Sequence, residues 1–60
     1  MKWFFHISGS GNRKVKDSEP VYDTEAEAMA AGNEYLKNNK ASCYRADDPQ
    51  EVFMVAAGRK

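Results

Sequence analysis

Val21-Tyr22-Asp23-Thr24-Glu25-Ala26-Glu27-Ala28 holds a junction from extended chain into helix whose chemistry is legible from residue types alone. Thr24 is a good N-cap. Its hydroxyl can accept from the amide of Glu27, and the Glu27 carboxylate can reach back to the Thr24 amide, which is the reciprocal arrangement of a capping box. Glu25 and Glu27 also set negative charge against the positive end of the helix dipole. A helix is therefore expected to start at Glu25.

Working downstream, Ala28, Ala31, Gly32, Tyr35 and Leu36 recur at helical spacing between Glu25 and about Asn38, with Met29 at the border of the stripe. The small residues make one face flat enough to lie close on a sheet, and Tyr35 and Leu36 give it bulk at one end. Asn38-Asn39-Lys40 is expected to end the helix, with an asparagine in the left-handed position and Lys37 and Lys40 near the negative dipole end.

Upstream, residues 2–8 alternate Trp3, Phe5 and Ile7 with Phe4, His6 and Ser8, which is a strand pattern. Gly9-Ser10-Gly11-Asn12 tolerates positive φ, so the chain can reverse into a second extended segment from about Arg13 to Asp17. Pro20 interrupts that segment and sets Val21-Tyr22 on an edge or in a bulged continuation. Beyond the helix, Ser42–Ala46 reads as a third strand and Glu51–Ala57 as a fourth, joined through a type I turn at Asp48-Pro49-Gln50-Glu51. The expected architecture is α+β, a single ββαββ domain over residues 1–60 with a mostly antiparallel sheet and one helix packed on one face.

A 60-residue domain has a thin core. Cys43 is the only cysteine, so no internal disulfide supports it, and no spaced Cys/His set suits a structural zinc. The apolar start Met1–Ile7 is broken by His6 and stops at Ser8-Gly9, too short for a signal sequence, and no stretch has membrane-spanning length. A reduced, cytoplasmic setting is expected. Net charge is zero but segregated, at +4 over residues 1–16, −6 over 17–34 and +2 over 35–60.

The functional clue is that both sheet faces are apolar. Val52, Met54 and Ala56 alternate with Phe53, Val55 and Ala57, and Phe4 lies opposite Trp3, Phe5 and Ile7. One helix covers one face. The other is expected to expose Phe4 and His6 with Phe53 and Val55, or Phe4 with Val52 and Met54 if the helix lies on the opposite side. The leading expectation is a non-enzymatic protein-interaction module, acting by self-association as a homodimer or on a partner protein.

The alternative is a nucleic-acid-binding face on the first hairpin, where Lys2, Arg13, Lys14 and Lys16 interleave with Trp3, Phe4 and His6. A weaker alternative is an inhibitor that docks its acidic helix on a basic partner. His6 and Cys43 would be neighbours if strands one and three pair, which would permit a thiolate–imidazole dyad, but no third, orienting group accompanies them. A capping box with a solvated helix face accounts for Asp23, Glu25 and Glu27. Gly9–Lys14 reads as a hairpin turn because it lacks the strand-to-helix context of a phosphate loop. No catalytic residue, metal or cofactor is expected.

The spacing of Tyr22, Thr24, Glu27 and Ala28 resembles the strand–helix corner of small bacterial and phage domains of unknown function, and is similar to that of the arm-site DNA-binding domains of phage tyrosine integrases. The resemblance implies a bacterial or phage origin and a fold corner, and it transfers no site residue. Those integrase domains have a basic sheet and usually end at the helix, whereas this chain adds an apolar segment and an acidic helix.

Thr24→Ala should lower stability by about 1 kcal/mol through loss of the cap. Urea melts check this; a change below a few tenths of a kcal/mol would mean that Thr24 caps no helix.

Overall fold

In the computed structural model, which describes residues 1–48 and 50–60, β1 (Trp3–Ser8), β2 (Lys14–Asp17), α1 (Glu25–Cys43) and β3 (Met54–Arg59) follow in that order. The strands form one antiparallel sheet in the order β2-β1-β3, with β1 at its centre.

The aromatic-rich β1 holds both neighbours. Gly9 donates to the Arg13 carbonyl at 2.7 Å across a 3₁₀ turn, Ser10–Asn12, in which Gly11 and Asn12 take φ of 68° and 63°. Left-handed backbone of this kind favours Gly and Asn, which occupy those positions. Beyond β2 the ladder continues in pieces. Ser18 donates its amide to the Phe5 carbonyl, its hydroxyl accepts from the Phe5 amide, and Trp3 and Tyr22 exchange backbone bonds of 2.7 and 3.1 Å. Val21-Tyr22 is thus the edge continuation that Pro20 implied.

Trp3, Phe5 and Ile7 point to the helix side. Ile7 is wholly buried and Phe5 nearly so, with Val55 opposite Ile7 and Ala57 opposite Phe5. The helix meets them through Ala28 and Gly32, both buried. A Cβ at residue 32 would stand 2.6 Å from Val55 Cγ1 and 3.0 Å from Phe5 Cβ, so glycine sets the helix–sheet distance. Phe5 also stacks at a tilt on Tyr35 and Tyr22, with centroids 5.9 and 6.2 Å apart.

The helix starts at Glu25 with Thr24 as N-cap, accepting from the Glu27 amide at 3.1 Å. The Glu27 carboxylate accepts from the Thr24 hydroxyl rather than from its amide, so the expected box is closed through the side chain.

The described residues form three strands, not four. The expected third strand, Ser42–Ala46, is instead the last turn of α1 followed by a tight turn in which Asp48 donates to the Arg45 carbonyl at 3.2 Å. The expected stop at Asn38-Asn39 is a kink. Asn39 leaves helical geometry at φ −123° and ψ 16°, its side-chain amide donates to the Tyr35 carbonyl, and the Ser42 hydroxyl donates to the Asn39 carbonyl. Those side-chain bonds bridge the kink, and the chain turns on until Cys43 is buried. The fourth strand, expected from Glu51, begins at Met54. Pro49, the second residue of the expected type I turn, lies outside the described residues; the Glu51 amide donates to the Asp48 carbonyl at 3.3 Å.

Gly32→Ala should destabilise by about 1–3 kcal/mol through overpacking, outweighing the gain of about 1 kcal/mol in helix propensity. An unchanged or raised urea midpoint would refute the close approach.

Candidate interaction face

Away from α1, the sheet presents the other alternation of β1 and β3. Phe4 lies opposite Gly58, His6 opposite Ala56, and Ser8 opposite Met54. The Phe4 ring extends across β3 and covers Gly58, since a Cβ there would stand 2.6 Å from the ring. Glycine therefore lets the aromatic ring lie flat on the sheet. Lys60 Nζ is 5.4 Å from the centre of the same ring. Met54 is 71% exposed, and Val52, just ahead of β3, is 72% exposed.

One rim of this face is polar. His6 Nδ1 bonds the Asp17 carboxylate, and Lys14 Nζ approaches the other oxygen at 3.3 Å. The His6 bond, aided by Lys14, holds the Asp17 carboxyl below its ordinary value.

Of the patch expected from sequence, Phe4 and His6 share this face, but Val55 does not. Val55 pairs with Ile7 beneath the helix, and Phe53 packs edge-on against Tyr44 with centroids 5.1 Å apart. Met54 and Ala56 lie beside Phe4 instead, and Met54 is one of the two residues, with Val52, expected there if the helix lay on the opposite side. The cations read as one basic hairpin are distributed differently. Lys2 pairs with Asp23, Lys14 with Asp17 and Arg13 with Glu51, while Lys16 points to the helix side and lies 5.6 Å from the centre of the Tyr35 ring. His6 and Cys43 form no dyad, because His6 lies on the open face and Cys43 is buried at the end of α1.

Sequence reasoning missed Glu51. Its side chain is fully buried, and its carboxylate accepts from Arg13 Nε at 2.9 Å, Arg13 Nη2, the Ser10 amide at 3.0 Å and the Arg45 amide at 3.2 Å. Arg13 Nη2 also donates to the Cys43 carbonyl at 2.7 Å. The glycine-rich turn does bind an anion, and the anion is this chain's own carboxylate. The visible signal was a lone acid heading the apolar run Val52–Ala57. Arg13, opposed by burial and helped by the two amides, brings the Glu51 pKa down to about 2.

A shallow groove of about 560 Å³ lies between α1 and the Ser18–Tyr22 segment, floored by Phe5, Tyr22 and Tyr35. Among the described residues no three His, Cys, Asp or Glu side chains cluster as a metal site, and no helix is long and apolar enough to cross a membrane. No family model, curated protein or solved structure matches the chain.

The depressed Glu51 pKa fixes the direction of acid sensitivity. Its stabilisation is complete above the ordinary value of 4.5 and is lost as pH falls toward about 2. Asp17 and Asp23, also lowered, act in the same direction. Urea midpoints should be level from neutrality to about pH 4.5 and fall below it. Glu51→Gln should lower the neutral midpoint and flatten that acid limb; an equally steep limb would place the acid sensitivity elsewhere.

Proposed function

We propose that this chain is a non-enzymatic protein-interaction module whose contact surface is the sheet face opposite α1. The observation that carries the reading is the placement of Phe4, Met54 and Ala56 together on a face that the helix does not cover. The occupant that fits is an uncharged, apolar segment of a partner protein. The rim supports this choice, because Lys2 and Lys14 already have carboxylate partners and Lys60 lies against the Phe4 ring.

The same pairing weakens the nucleic-acid reading. A phosphate-binding face needs cations free to replace counterions. Here Arg13 is spent on Glu51 and Lys16 lies on the helix side of the sheet. The acidic-helix reading keeps Glu25, Glu27 and Glu34 on α1, while Asp17 and Asp23 lie ahead of the helix and are paired within the chain.

The test uses anilinonaphthalene sulfonate as an apolar probe and oligonucleotides as the competing class. The folded chain should enhance dye fluorescence, with amide shifts at Phe4, Met54 and Ala56, and Met54→Gln should reduce the enhancement at least about threefold. Single-stranded and duplex oligonucleotides should show no salt-dependent binding at about 50 µM protein in low salt. Dye shifts confined to the Phe5–Tyr22–Tyr35 groove, absence of dye binding, or oligonucleotide binding lost in Lys14→Gln would overturn the reading.

A further inference from the structure

The two edges of the sheet are defended very differently. β2 carries charge at Lys14, Lys16 and Asp17, has a bulge opposite Ile7/Ser8, and runs on into a segment containing Pro20. These are the devices that stop an edge from pairing with another chain. β3 has none of them: Met54-Val55-Ala56-Ala57-Gly58 is uncharged, free of proline and in unbroken register with β1. Its one charged residue, Arg59, leans inward, with its guanidinium 5.3 Å from the centre of the Trp3 ring.

Antiparallel pairing fixes which β3 groups face outward. Lys2 and Lys60 exchange backbone bonds of 3.1 and 3.0 Å, so the alternate residues Gly58, Ala56 and Met54 also turn their amides and carbonyls toward β1. Val55, Ala57 and Arg59 turn theirs to the free edge. From these groups we infer that two copies of the chain pair through β3, antiparallel about a twofold axis at Ala57, to form a continuous six-stranded sheet.

The register is self-complementary. Ala57 faces Ala57 of the second copy, Val55 faces Arg59, and Ala56 faces Gly58, so small residues meet at the axis and no like charges stand directly opposite. The helices fit the same geometry. Each α1 packs over β1 and β3, and Gly32, at the middle of the regular helix, rests on Val55 and Phe5, near the level of Ala57. With strands about 4.8 Å apart, a helix seated over the β1/β3 seam lies about 10 Å from its twofold mate, the ordinary distance for packed helices.

The flank of α1 that turns toward that mate is apolar. Ala31, Tyr35 and Asn38 line the groove on the β2 side. At about 100° per residue, Met29 and Leu36 fall on the opposite flank, with Lys40 beyond them. Antiparallel helices would also set Glu25, in the acidic first turn, beside the end of the second copy's helix that carries Lys40.

The inference goes beyond the open-face reading and stands on different atoms.

The experiment is amide exchange on the labelled wild-type chain together with sedimentation, at tens of micromolar and at about 1 mM. Dimers should form at the higher concentration. Met54, Ala56 and Gly58 amides should be protected throughout, whereas Val55, Ala57 and Arg59 amides should slow at least about tenfold only in the dimer. Ala57→Pro removes an outward donor and no bond to β1, so it should raise the dissociation constant at least about tenfold with the helical signal retained. The wild-type exchange pattern decides the matter if that variant does not fold. Met54→Gln should leave the dimer intact, which separates this inference from the open-face reading. A strict monomer at about 1 mM, or a dimer whose Val55, Ala57 and Arg59 amides exchange as fast as in the monomer, would overturn it.

Discussion

Glu51 determines how the parts of this small chain meet outside the sheet. A buried carboxylate is tolerable only when donors surround it, and this one draws on the hairpin turn through Ser10 and Arg13 and on the end of the helix through Arg45. Arg13 completes the joint by bonding the Cys43 carbonyl. The hairpin turn, the end of the helix and the approach to β3 are fixed to one ion pair. The place where α1 ends, the path of the connection and the point where β3 begins all follow from it.

That dependence explains which parts of the fold were legible beforehand. Local chemistry was readable: Thr24 caps the helix, Gly11 and Asn12 turn the hairpin, Pro20 breaks the edge strand, and Ala28 and Gly32 are the residues that face the sheet. The misreading came where tertiary contacts overrode local signals. Asn39 looks like a stop, and it does distort the helix, but its amide bonds the Tyr35 carbonyl and the chain winds on to a buried Cys43. Ser42–Ala46 has a strand-favouring Tyr44, yet the segment completes the helix at Cys43 and then turns, with the Arg45 amide held by Glu51.

The candidate site was legible in part for the same reason. Alternation placed Phe4 and Met54 on one parity and Val55 on the other, but which parity the helix covers depends on packing, and Gly32 against Val55 decides it. The cations were misjudged as a group because charge counts carry no direction. The bulge between Ile7 and Ser8 sends Lys14 to the open face and Lys16 to the helix side, where it meets Tyr35. Arg13 was invisible as a structural residue until Glu51, 38 positions away, was seen to receive it.

Size then links fold to function. Among the described residues a single helix over three strands leaves one face and two edges to solvent. The β2 edge is closed off by charge, a bulge and a proline, while the β3 edge is smooth and uncharged from Met54 to Gly58. Such asymmetry follows naturally if the two edges are under different demands: one must not pair, and the other is free to. Small residues at Ala56, Ala57 and Gly58 meet both demands on β3, lying close under α1 on one side and under the Phe4 ring on the other without adding bulk at the edge. These small residues therefore leave this edge open to a second strand.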